Sequence, residues 1–239
     1  MRRLQEKRHC GLDPQSPSRL QYWLETQHQN HKISEVRILI KIIDYKAGNA
    51  PSVLSAVEYI GYNAELVHTA DELAGATHII LPGVGSARAT MDSLRELRLL
   101  DALHDAVLNR GTMFLGICVG MQILFEHSEE GDTDCLGWFG GTVTRFDSAC
   151  VNVPQMGWNQ VSFTDKNNDG YYYFVNSYHA NPTDESIIWG TADYDGVFTA
   201  AVRRGNIYGA QFHTEKSGAV GLELLREFLS TSNIEKGGR

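Results

Sequence analysis

Gly116-Ile117-Cys118-Val119-Gly120 constrains this chain more than any other stretch. An apolar run, Thr112-Met113-Phe114-Leu115, precedes it, and Met121-Gln122-Ile123-Leu124-Phe125 follows with helical character. The pattern predicts a strand, a sharp turn and a helix, with the cysteine at the turn. Glycines on both sides suit a nucleophile elbow, where the backbone is strained and side chains would collide. Such a turn lifts a sulfur clear of the sheet and sets it at a helix N-terminus, which favours thiolate. A buried structural cysteine between two spacer glycines is the competing reading of this motif alone.

A second segment separates the two readings. Tyr208-Gly209-Ala210-Gln211-Phe212-His213-Thr214-Glu215 lies near the C-terminus. Residues two apart on an extended strand share a side, so His213 and Glu215 are expected to lie together. A thiolate nucleophile needs a base, and the base needs an orienting carboxylate. Cys118, His213 and Glu215 supply these three roles as candidate catalytic residues.

These residues carry a resemblance to the class I (triad) glutamine amidotransferases. Within that family the chain resembles the branch that serves as the glutaminase subunit of imidazole glycerol phosphate synthase. The matching segments are Ile43-Asp44-Tyr45 with Gly48-Asn49, Leu81-Pro82-Gly83-Val84-Gly85, and the elbow through Gln122. Val153-Pro154-Gln155-Met156-Gly157-Trp158-Asn159, Tyr173-Phe174-Val175-Asn176-Ser177-Tyr178 and Gln211 to Gly218 complete the set. They recur in the family's order from residue 38 to about 230. The elbow and His-x-Glu belong to the whole class, the Pro-x-Met-Gly-Trp-Asn segment to the histidine-pathway branch.

The resemblance implies an α/β fold: a mostly parallel, flavodoxin-like central sheet with flanking helices and added antiparallel strands. The chain pattern agrees. Val36 to Asp44, Thr77 to Leu81 and the strand before the elbow read as buried strands. Ala64 to His68 is a shorter one. Helices are expected over Ser52 to Ile60, from Asp71, over Met91 to Arg110 with Gly111 as its cap, and over Gly218 to Ser230. This β-α alternation predicts a parallel sheet. From Leu136 to Tyr208, glycines, aromatics and β-branched residues predict antiparallel strands joined to the same domain.

Residues 1 to 36 differ from the rest: six Lys and Arg stand against four Asp and Glu, with no apolar periodicity. This segment reads as a disordered or artefactual extension, and residues 37 to 239 as the amidotransferase domain. It lacks the apolar core of a secretory signal.

Composition narrows the function. A net charge of −8 argues against a general nucleic-acid binder. No apolar run approaches a membrane span. Four cysteines without a C-x-x-C pair give little case for a metal or disulfide framework, and a reactive thiolate suits a reducing cytoplasm. Asp165 to Gly170 lacks the spacing of a calcium loop. His68, His78, His104, His127 and His179 read as structural or solvated. No metal and no cofactor is expected.

The resemblance assigns further roles. Gly83, Val84 and Gly85 become the oxyanion strand, working with the Val119 N–H, and Gln122 helps hold the substrate, L-glutamine. Trp158 becomes the docking residue for a partner, a (β/α)8-barrel cyclase, in a heterodimer. Asn49, Asn159 and Tyr173 to Tyr178 are expected near that face. The implied chemistry hydrolyses glutamine through a cysteinyl thioester and channels ammonia to the cyclase, which forms imidazole glycerol phosphate in histidine biosynthesis.

Several positions depart from the family pattern. Thr214 stands where proline is usual, Lys46 where glycine is usual, and Gln155 where histidine is usual. Ser86-Ala87-Arg88-Ala89-Thr90 lacks the common aromatic and acidic residues. Such changes also fit a paralogue that supplies ammonia to a related cyclase in surface-polysaccharide sugar modification. A reading of another class is a non-catalytic regulatory partner of a cyclase, against which the intact Cys118, His213 and Glu215 argue.

Overall fold

The structure, a computed structural model, describes residues 38–46, 49–194 and 196–232. The expected boundary between residues 36 and 37 lies outside the described residues.

Alternation of apolar strands and amphipathic helices builds the first half. Strands β1 (Ile40–Ile43), β2 (Ala64–Val67), β3 (His78–Gly83) and β4 (Met113–Cys118) are joined through helices α1 (Ala50–Tyr59), α2 (Ala87–Glu96) and α3 (Leu100–His104). A π-helical turn, Asp105–Asn109, continues α3. Every residue of β3 and β4 is buried, as expected for strands covered on both faces. β1 pairs in parallel with β2 and β3, and β3 with β4.

Beyond α4 (Val119–Gln122) the chain turns to hairpins. Strands β5 (His127–Ser128), β6 (Thr133–Asp134), β7 (Gly141–Arg145), β8 (Gln155–Phe163) and β9 (Gly170–Asn176) come first. β10 (Tyr178–Pro182), β11 (Ile188–Asp193), β12 (Val197–Arg204) and β13 (Ile207–Ala210) follow, then α5 (Gly218–Ser230). The strands form one sheet, ordered β2-β1-β3-β4-β13-β12-β10-β7-β5-β6. β13 returns to pair in parallel with β4. That return brings the C-terminal histidine segment beside the elbow. β11 pairs with β12 and β8, and β8 with β9, all antiparallel, forming a ribbon off the main path. The α/β architecture with a mostly parallel centre and added antiparallel strands is the one expected.

The helix expected over Met91–Arg110 is broken. α2 starts earlier, at Ala87, because Ser86 Oγ caps it by accepting from Ala89 N at 3.2 Å. It ends at Glu96, and Arg98 adopts φ 55°. Leu94, Leu99 and Leu103 are all fully buried. Positions five apart lie well around a helix from one another, so one continuous helix would turn Leu99 away from the face of Leu94. The break restores Leu99 to the core.

Candidate active site

The sheet delivers Cys118 on an elbow. Cys118 ends β4 with φ 55° and ψ −110°, and α4 begins at the next residue. Three glycines make room for this strained turn. A Cβ on Gly116 would lie 2.3 Å from Gly120 O, one on Gly120 2.1 Å from Leu81 O, and one on Gly83 2.4 Å from Gly120 N. The ends of β3 and β4 thus press directly on the backbone of α4. The helix itself is one turn long, shorter than the run Met121 to Phe125 predicts.

His213 and Glu215 come together, though by a different geometry from the expected strand. β13 stops at Ala210, and Thr214–Lys216 form a 3-10 turn with His213 as its first cap. His213 Nδ1 lies 2.8 Å from Glu215 Oε1. The histidine backbone is fixed independently. Its N–H donates to Tyr173 O at 3.0 Å. Its carbonyl accepts from Ser217 Oγ at 2.6 Å, and Tyr173 N donates to the same Oγ at 3.0 Å.

The pair is almost dry. His213 is 3% exposed and the Glu215 side chain 0%. Burial pulls the His213 imidazolium down, but hydrogen bonds to Cys118 and Glu215, with their charges, outweigh it and lift the group to about 9. Burial pushes the Glu215 carboxyl up, and the bond and charge of His213, helped by Asn49, hold it below the usual carboxylate range. His213 thus stands within electrostatic reach of Cys118, with Glu215 bonded to its Nδ1.

A cavity of about 300 Å³ opens on this group. Val84, Gly85, Cys118, Val119, Gln122 and His213 all line it. Gln122 is 3% exposed, and its amide donates to Tyr178 O at 3.2 Å and Gln211 Oε1 at 3.1 Å.

Four placements were not legible in the sequence. Gln211, fully buried, donates its amide to Cys118 Sγ at 3.7 Å and so links Gln122 to the sulfur. Its position two residues before His213 was the available signal. Glu130 lines the cavity and also accepts from Ala87 N at 2.8 Å. Asn49 is buried and donates its amide to Glu215 Oε1. Asn159 donates to Asp193 O at 2.8 Å and so joins β8 to the end of β11.

Trp158 does face outward. It is 56% exposed, stacks edge-on against Tyr173 at 5.9 Å, and has exposed Met156 on the same side. Among the described residues no cluster of His, Cys, Asp or Glu is arranged to hold a metal. In the Asp165–Gly170 turn, Asp169 accepts from Phe163 N and Asp165 from Trp189 Nε1, so these carboxylates brace the hairpin. His78 bonds Thr231 O and His179 stacks on Phe146, both structural uses. Among the described residues no helix is long and apolar enough to cross a membrane.

A sheet whose parallel centre presents an elbow cysteine to a carboxylate-bound histidine defines a class of α/β protein, the cysteine–histidine–glutamate type. The chain belongs to the glutamine amidotransferase class-I family, whose pattern matches residues 41–231. Among its relatives is the imidazole glycerol phosphate synthase subunit HisH of Leptospira borgpetersenii, 39% identical over 80% of this chain and 100% of that one. The subunit of the same name from Rhodopirellula baltica is 43% identical over 82% and 99%. The chloroplastic imidazole glycerol phosphate synthase hisHF of Arabidopsis thaliana is 40% identical over 80% of this chain and 34% of its own length. Solved folds agree: a glutamine amidotransferase crystal structure superposes with TM-score 0.66 at 19% identity, covering 80% of this chain and 96% of the other. PurLQS from Thermotoga maritima gives 0.62 at 19%, covering 80% and 97%.

Proposed function

We propose that this chain is the glutaminase subunit of an imidazole glycerol phosphate synthase, hydrolysing glutamine and passing the ammonia to a (β/α)8-barrel cyclase. The observation that carries the reading is the dry Cys118–His213–Glu215 constellation on the elbow, in a chain about 40% identical to HisH subunits along nearly their whole length.

In this reading glutamine lies in the cavity with its side-chain amide at Cys118. Glu130, the half-buried acid lining the cavity, meets the α-ammonium, and Gln122 helps hold the substrate. Cys118 gives its proton to His213 and attacks the amide carbon. The oxyanion turns toward the Val119 N–H and the Val84–Gly85 backbone. One such donor is worth about 3 to 4 kcal/mol in the transition state. As the C–N bond breaks, His213 returns the proton and ammonia leaves, with the acyl group on sulfur.

The raised His213 now matters. Once sulfur is acylated, the Cys118 bond and charge that lift the imidazole are gone. Burial, the largest single influence on it, then favours neutral imidazole against only the remaining bond and charge of Glu215. A neutral His213 is the base that water needs for thioester hydrolysis. Glu215 keeps Nδ1 engaged, leaving the other nitrogen for the reaction. The outward face of Trp158, Met156 and Tyr173 offers the cyclase an aromatic anchor.

The test is glutamate release from glutamine by the pure protein, alone and with the histidine-pathway cyclase and its ribulosyl carboxamide ligand. Release is expected to depend on Cys118 and to rise with the liganded partner. Cys118→Ala is expected to lose it, while product formation from added ammonia survives. Full glutaminase activity in Cys118→Ala would sink the reading.

A further inference from the structure

The cavity at Cys118 reaches one end of the β8–β9 ribbon. Gln155 opens β8, Asn176 closes β9, and the two are register partners. Gln155 is 3% exposed and Asn176 5%. Asn176 lines the cavity, as does Pro154, the residue before Gln155. The Asn176 amide donates to Tyr178 O at 3.0 Å. Its own carbonyl oxygen, and that of Gln155, have no partner among the described residues.

A buried carbonyl without a donor is destabilising. Asn176 lines the reaction cavity and Gln155 is its register partner just behind that wall, so a pair of acceptors there suits a small ligand rich in N–H groups. The reaction makes one. When the amide C–N bond breaks and His213 supplies the proton, the leaving group is ammonia, with three N–H donors. It is released at Cys118 Sγ, which sits 3.9 Å from Val175 O, the carbonyl just before Asn176. Val175 is the register partner of Met156, and Met156 is 67% exposed. Gln155, Asn176, Met156 and Val175 at this end of the ribbon carry no charge, so they offer no carboxylate to hold an ammonium ion.

We infer that Gln155 and Asn176 form an acceptor station that takes ammonia from Cys118 and passes it around the end of the ribbon to the exposed face of Met156 and Trp158. The inference rests on the glutaminase reading above and adds to it the residues that hold the departing product.

The experiment measures coupling in the complex with the cyclase: imidazole glycerol phosphate formed per glutamate released. This ratio is independent of how fast glutamine turns over. Gln155→Met keeps the length and removes the acceptor, and Asn176→Leu does the same across the ribbon. Each is expected to lower the ratio at least threefold, with bulk ammonium chloride restoring product formation. Gln155→His returns an acceptor nitrogen and is expected to restore the ratio. A ratio equal to that of the unaltered protein in both Gln155→Met and the double variant overturns the station. So does failure of Gln155→Met to fold, since that would show the Gln155 carbonyl serving the ribbon itself. Absence of Cys118-dependent glutamate release from the unaltered complex would instead defeat the glutaminase reading.

Discussion

Asn49 and His213, 164 residues apart in the chain, meet on a single oxygen: the Asn49 amide and His213 Nδ1 both engage Glu215 Oε1. Asn49 is the residue just ahead of α1, so the start of the first helix orients the C-terminal base. A hydrogen bond to a charged group contributes about 1.5 to 3 kcal/mol. Asn49→Ala is expected to lower kcat for glutamate formation about tenfold, with KM little changed. Steady-state rates decide it, and an unchanged kcat would remove Asn49 from the orienting set.

The raised His213 and lowered Glu215 also set the pH response of stability. His213 rises from 6.5 to about 9, so its contribution is complete below about 6.5 and is lost as pH climbs through 9. Glu215 is lowered from 4.5, so its contribution is present above 4.5 and is lost as pH falls through its folded value. The unfolding free energy of the unaltered protein, read from urea titrations, is expected to fall between pH 6.5 and 9.5 by up to about 3 kcal/mol. In His213→Gln that fall should shrink. Equal pH slopes in the two proteins would contradict the assignment.

Backbone contact at the elbow predicts a steric limit. Gly120→Ala places a methyl group 2.1 Å from Leu81 O, in backbone that cannot swing aside. Overpacking of this kind costs about 1 to 3 kcal/mol or more. The expected drop in melting temperature is about 4 to 10 °C, read by calorimetry. A melting temperature within a degree of the unaltered protein would mean that the elbow relaxes freely.

Trp158 separates docking from folding. Its ring is more than half exposed, so Trp158→Ala should leave the unfolding midpoint of the isolated chain nearly unchanged. Loss of an aromatic anchor typically costs 2 kcal/mol or more, about a 30-fold weaker association. Titration with the cyclase tests this, and undiminished affinity would move the docking face elsewhere.

The elbow, the buried parallel strands and α5 were all legible because each rests on local pattern: spacer glycines, continuous apolar runs, helical spacing. Other features depend on distant partners. Nothing near Leu99 announces that the core needs it turned inward at Arg98. Asn49 looks like a helix cap, yet its partner lies at Glu215. Strand periodicity pairs His213 with Glu215, and they meet instead across a 3-10 turn. Gln211 hid inside a motif whose histidine drew the attention. Thr214 replaces a proline and is fully buried, its hydroxyl without a partner among the described residues.

α4 is a single turn, and the field of so short a helix is weak. The sulfur must then rely for its activation on the imidazole beside it. Alkylating reagents such as iodoacetamide, which read thiol reactivity with no substrate present, should therefore register the loss of His213 as clearly as a glutamine assay does.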